Sequence, residues 1–168
     1  MMADAELMAL ATRVGAQLKR SGALLVAAES CTGGWIGQAV TAVAGSSDWF
    51  ERGFVTYSNA AKQEMLGVRA ETIARHGAVS EQTAHEMAAG ALAHSHGTIA
   101  VAVTGVAGPG GGSDAKPVGM VCFAWARGAE VRAETRRFDG DRDSVRRQSV
   151  IRALEGVVQW LDEPAARA

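Results

Sequence analysis

The segment TIAVAV, residues 98–103, constrains the fold most, because every residue after its opening threonine is apolar. A strand with one face in water alternates apolar with polar side chains. An unbroken apolar run has to be covered on both faces, as in the centre of a parallel sheet with helices on either side. LLVAA at 24–28 has the same character, and a further buried strand is expected over 118–125. Between such runs lie segments with helical periodicity. Leu7, Ala11, Val14 and Leu18 form one stripe and predict a helix over 4–19.

The remaining elements follow from stop signals and caps. A second helix is expected to open near Gly33 and bury Trp35, Ile36, Ala39, Val40 and Val43, ending at Gly45-Ser46-Ser47. Trp49 and Phe50 are expected to cover a core edge, with a strand following over 53–57. Asn59 then caps a short helix carrying Lys62 and Met65, which Gly67 ends, and a turn or helix covers 70–75. Ser80 caps an alanine-rich helix reaching about residue 93, whose small residues Ala84, Ala88 and Ala91 suit close packing on a sheet. Arg127-Gly128-Ala129 reads as a hairpin link into a strand over 131–138, where Arg132, Glu134 and Arg136 suit an exposed edge. The last helix starts near Asp141 and buries Val145, Val150, Leu154, Val157 and Leu161. This order predicts an α/β fold, a three-layer α/β/α sandwich with five strands.

The 168 residues suit one domain, expected over 1–163 with a frayed tail at 164–168. A hydrophobic share of 48% and a charged share of 21% exclude a disordered chain. The net charge of -1 gives nonspecific nucleic-acid or acidic-membrane binding no electrostatic footing. No apolar run is long enough to span a bilayer and the N-terminus lacks a signal-peptide core, so a cytoplasmic location is expected. Cys31 and Cys122 form no CxxC pair, and His76, His85, His94 and His96 lack HExxH spacing, so neither a metal nor a cofactor is expected. The sequence leaves the oligomeric state open, a homo-oligomer included.

Strand ends point to a site. In a parallel sheet Ser30, Tyr57 and Thr104 would gather at the carboxyl edge, and Lys62 could swing back over the same crevice. Serine with lysine is a nucleophile–base arrangement if burial lowers the lysine pKa. The alternatives are a capping role for Ser30 or Thr32 and a solvated Lys62. The loop TGVAGPGGGSDAKPVG, residues 104–119, matches neither a Walker A loop nor a Rossmann turn, but its backbone N–H groups could surround an anion. Lys116 could add charge there. In FDGDRDSVRRQ, residues 138–148, Arg142 and Arg146 share a helix face that could clamp a phosphate or pair with nearby acidic residues.

AESCTGG at 28–34, GSSDWFERGFVTYSNAAK at 45–62, HGAVS at 76–80, the glycine loop and FDGDRDSVRRQ together resemble the CinA C-terminal domain family, in order and over nearly the whole chain. A chain this short resembles the family's stand-alone form. The resemblance implies a mixed five-stranded sheet of order 2-1-3-4-5 with the fourth strand antiparallel. It also implies hydrolysis of the carboxamide of nicotinamide mononucleotide (NMN) to nicotinic acid mononucleotide and ammonia. The implied nucleophile is Ser30, the lysine Lys62, with Tyr57 and Thr104 beside them, and the AGPGGG loop with Arg142 would hold the ligand. Met120 departs from the smaller or β-branched residue more usual at its position, a core variation. The expected substrate-contacting set is Thr32, Gly33, Asn59, Gly105, Ala107, Gly108, Gly110, Gly111 and Arg142. The partner is then a small molecule, with no direct nucleic-acid or membrane contact. A non-catalytic module binding pyridine nucleotides and an interaction domain tied to competence or damage are the alternative functions.

Overall fold

Asp4 accepts a hydrogen bond from the Leu7 N–H and so opens helix α1 (Ala5–Ser21), which Gly22 closes in the left-handed conformation. The computed structural model describes residues 4–164; of the expected tail at 164–168, all but Pro164 lies outside them. In chain order there follow β1 (Leu25–Glu29), α2 (Trp35–Thr41), a single 3₁₀ turn (Ser46–Asp48), β2 (Phe50–Val55), α3 (Asn59–Leu66), α4 (Ala70–His76), α5 (Glu81–Ala93), β3 (Ile99–Gly105), β4 (Met120–Arg127), β5 (Glu130–Arg137) and α6 (Arg142–Asp162). The five strands lie in the order β2-β1-β3-β4-β5; β1 is parallel to β2 and β3, while β4 is antiparallel to both β3 and β5. The fold is the expected α/β sandwich with helices on both sides of a mixed sheet.

Several boundaries move. Phe50 pairs with Leu25, so it opens β2 rather than preceding it, and Tyr57 lies beyond the strand's end. The reason is the ladder: Leu25 N–H donates to the Trp49 carbonyl, which brings the chain into register three residues before the expected start at 53. Ser58 caps α3 by accepting from the Ala61 N–H, which makes Asn59 the first helical residue. Ser80 and Asp141 cap α5 and α6 as expected.

The alternation inside TIAVAV encodes two different layers. Ile99, Val101 and Val103 face α1, α2 and α6, joined by Val121, Phe123 and Trp125 of β4. Ala100 and Ala102, with Cys122, Ala124 and Ala126, face the other way, beneath Ala84, Met87, Ala88 and Ala91 of α5. Small residues on both partners let α5 lie close to the sheet. At its far side α5 also meets α3: a Cβ added at Gly90 would sit 1.9 Å from the Leu66 carbonyl oxygen. Gly90 is therefore required by close backbone approach. That contact sets the position of α3, one turn of which carries Lys62.

Candidate active site

The end of β1 is held from three directions. Ser30 N–H donates to the Val103 carbonyl at 3.0 Å, tying the turn to β3. Glu29, 2% exposed, accepts hydrogen bonds from Ile36 N–H at 2.8 Å, Gly37 N–H at 3.1 Å and the Thr32 hydroxyl at 2.7 Å. Its carboxylate therefore satisfies otherwise orphaned donors at the start of α2, where a negative charge is favoured. From α6, Arg146 donates to the carbonyls of Cys31 (3.1 Å) and Thr32 (3.2 Å) while lying over the Trp35 ring.

Lys62 reaches Ser30 across the parallel β1–β2 edge. Its Nζ lies 3.0 Å from Ser30 Oγ and donates to the Thr56 carbonyl at 3.1 Å, and the residue is 1% exposed. Burial pushes its pKa below the ordinary lysine value, opposed more weakly by neighbouring Cys31. Cys31 packs into the core as a small apolar side chain, and burial pushes its thiol up to about 12. A thiol in that state supplies almost no thiolate at neutral pH.

Ser30 and Lys62 open into a cleft of about 290 Å³ whose walls include Tyr57, Asn59, Thr104 and the loop residues Gly105, Ala107, Gly108, Gly110 and Gly111. Thr104 is buried and its hydroxyl donates to the Ala78 carbonyl at 2.8 Å. Arg142, the first residue of α6, closes one side by donating to the Gly108 carbonyl (2.8 Å) and the Tyr57 hydroxyl (3.2 Å). Gly108 has φ 82° and a Cβ there would meet Val118 at 2.4 Å, so glycine alone fits this bend. Among the described residues, the N–H groups of Ala107, Gly108, Gly110 and Gly111 donate no backbone hydrogen bond, leaving a row of donors along the wall. Such a row suits an anionic group. A larger groove of about 750 Å³ runs along the outer face of α5, and neither Ser30 nor Lys62 lines it.

The chain matches the CinA C-terminal domain over residues 7–161. It belongs to that family. Among its relatives is the nicotinamide-nucleotide amidohydrolase PncC of Escherichia coli strain K12, 56% identical over 160 residues that cover 94% of this chain and 96% of that protein. The protein of the same name from Pseudomonas putida is 56% identical over 150 residues, covering 89% and 94% respectively. The crystal structure of the competence/damage inducible protein CihA from Agrobacterium tumefaciens superposes with a TM-score of 0.92 at 45% identity, covering 97% of this chain and 99% of that one.

Within this CinA C-terminal domain, the expected residues divide. Ser30, Tyr57, Asn59, Lys62, Thr104, Gly105, Ala107, Gly108, Gly110, Gly111 and Arg142 all line the one cleft. Thr32 and Gly33 do not; they border a neighbouring depression with Trp35, Gln38 and Arg146, and the Thr32 hydroxyl is occupied by Glu29. The two arginines of α6 also part company, since Arg146 serves the Ser30 turn and only Arg142 borders the cleft. Lys116 is bound to the His76 carbonyl, outside the cleft wall. Sequence reasoning assigned no role to Glu29, to the Thr56 carbonyl or to Ala78 and Val79. For Glu29 a signal existed: a carboxylate closing an otherwise apolar strand needs buried donors. A carbonyl partner such as that of Thr56 has no signal, since every residue carries one.

Proposed function

We propose that this chain is a nicotinamide-nucleotide amidohydrolase that converts NMN to nicotinic acid mononucleotide and ammonia, with Ser30 as nucleophile and Lys62 as base. The observation that carries the reading is the 3.0 Å Ser30–Lys62 contact made by a lysine that burial holds below its ordinary pKa. The names of the relatives supply the substrate. A neutral Lys62 takes the Ser30 proton as Oγ bonds to the carboxamide carbon, and backbone N–H groups of the turn receive the oxyanion. The lysine proton, relayed through Tyr57 or Thr104, then goes to the departing nitrogen, which leaves as ammonia. Water attacks the acyl-serine and returns the serine proton, releasing the acid. The pyridinium charge makes the carboxamide carbon a better electrophile. The ligand's phosphate falls to Arg142 and the donor row of the glycine loop, with Arg142 exchanging its Gly108 and Tyr57 contacts for phosphate oxygens. The scheme uses no metal or cofactor, and a mononucleotide substrate fits a cytoplasmic enzyme.

Ammonia release from NMN tests the reading. Ser30→Ala should retain NMN binding and lose turnover by about 10⁴-fold or more, the scale seen when a nucleophile is removed. Cys31→Ser should stay active with a small loss of stability. An active Ser30→Ala protein beside a folded but inactive Cys31→Ser protein would reverse the assignment. NMN binding without ammonia release by the unaltered chain would make it a binding module.

A further inference from the structure

Two cleft-lining segments are joined by one cation. Ala78 and Val79 line the cleft from the stretch between α4 and α5, and the glycine loop lines it from the stretch between β3 and β4. The first stretch is closely held. The Gly77 carbonyl accepts from the hydroxyls of Ser80 (3.1 Å) and Thr83 (2.7 Å), and the Ala78 carbonyl accepts from Thr104 (2.8 Å). The loop is fixed at its base, where Val106 N–H donates to the Met120 carbonyl (2.9 Å) and Gly119 N–H to that of Val106 (2.8 Å). Beyond the base, among the described residues, two side-chain hydrogen bonds tie it to other parts of the protein. Arg142 reaches in to the Gly108 carbonyl, and Lys116 reaches out from the loop to the His76 carbonyl. His76 ends α4, so its carbonyl has no partner within the helix and suits a cation. Gly77 leaves room for that ammonium: a Cβ there would lie 2.5 Å from Lys116 Nζ. Around Lys116 the loop also closes on itself, with Ser113 N–H donating to the Lys116 carbonyl (2.9 Å) and Lys116 N–H to the Ser113 hydroxyl (3.1 Å). This closed turn follows the donor row at residues 107–111 in the chain, so fixing Lys116 limits where the row can move.

We propose that Lys116 is a positioning residue for phosphate binding, its bond to His76 fastening the glycine loop to the segment that carries Ala78 and Val79. The inference rests on the loop holding the ligand's phosphate, as in the amidohydrolase reading. The two ties then have different fates. Arg142 gives up the Gly108 carbonyl for phosphate oxygens, whereas Lys116 does not line the cleft and keeps its contact. Lys116 is thus the side-chain tie that holds the row of N–H groups while Arg142 turns to the ligand. A row already in place binds an anion without first being ordered. Lys116 therefore acts on affinity and not on the chemistry at Ser30.

The test pairs the kinetics of ammonia release with amide hydrogen exchange in Lys116→Met and Lys116→Arg. Lys116→Met keeps an apolar stem and removes the donor. It should raise KM for NMN about tenfold, the scale of ordering a few loop groups on binding, with kcat within about twofold of the unaltered chain. Its kcat/KM for nicotinamide riboside, which lacks the phosphate, should not change. In the ligand-free protein, amides of residues 107–116 should exchange about tenfold faster. Lys116→Arg restores a charged donor and should recover most of both effects. Unchanged KM in Lys116→Met overturns the proposal. So does a raised KM with unchanged exchange in the ligand-free protein, which would make Lys116 a direct ligand contact. An equal loss on nicotinamide riboside, or a fall in kcat at constant KM, overturns it as well, since either would place the effect away from the phosphate. If Lys116→Met does not fold, Lys116→Gln, neutral and shorter than lysine, decides between the same outcomes. An unaltered chain that releases no ammonia removes the amidase reading itself. Calorimetric NMN affinities, read beside the same exchange rates, then decide the role of Lys116 separately.

Discussion

The two faces of the sheet are built to different rules. On the α6 side, branched and aromatic residues such as Val103, Phe123 and Trp125 fill a thick layer, and side chain meets side chain. On the α5 side the sheet offers alanines and Cys122, so the layer is thin, and within it Gly90 of α5 meets the backbone of α3 directly. The thick layer brings the cations Arg142 and Arg146, which sit at the start of α6. The thin layer places α3 and hence Lys62. Side chains in a thick layer can change rotamer and absorb a substitution. A backbone contact in a thin layer can only move the helix it touches, so geometry at Lys62 depends on packing one helix away.

Replacing Lys62, the proposed base, should give the largest effect and should separate function from stability on the thin side. Lys62→Met should lower ammonia release by about 10⁴-fold or more, yet raise Tm by about 2–4 °C if it relieves about 1 kcal/mol of lysine burial. The pH dependence has a defined sign. The folded-state pKa of Lys62 is lowered, so its neutral form costs nothing above the unfolded pKa of about 10.4. As pH falls from there to the folded pKa, the unfolded chain binds a proton that the folded one does not, and stability declines. Lys62→Met should flatten that decline in urea unfolding measured across alkaline pH, while the wild-type rate rises with pH through the same lowered pKa. A rate falling with pH over that window would show that Lys62 acts protonated.

A cavity in the thick layer comes next. Leu154, fully buried on α6, should lose about 2–5 kcal/mol when replaced by alanine. Its activity per folded molecule, measured well below the transition, should stay near normal. Gly90→Ala should be smaller in stability, about 1–3 kcal/mol of overpacking reduced by the roughly 1 kcal/mol of helix propensity that alanine gains. Its turnover should nonetheless fall clearly, because the new methyl displaces Leu66 and α3 with it. Equal retention of activity in Leu154→Ala and Gly90→Ala would dissolve the distinction between the layers.

Much of this protein was legible from residue order alone. TIAVAV required a doubly covered strand, and Asp4, Ser80 and Asp141 announced helix starts, because these signals act within a few residues of chain. Strand-end logic brought Ser30 to the carboxyl edge and put Lys62 within reach of it, but left a solvated lysine as the alternative, which the packing of α3 decided. Side-chain partners across the chain were not legible. Arg142 and Arg146 are equivalent by spacing, yet one borders the cleft and the other grips the turn behind it, because their distances to β1 are set by how α6 lies on the sheet. Thr32 sits two residues from Ser30, yet Glu29 takes its hydroxyl away from the cleft. The start of β2 was misplaced for the same reason, since its register was set by pairing with Leu25 rather than by its own residues. Local caps and burial patterns are properties of short segments and can be read from them; which donor meets which acceptor depends on distances that exist only once the layers have packed.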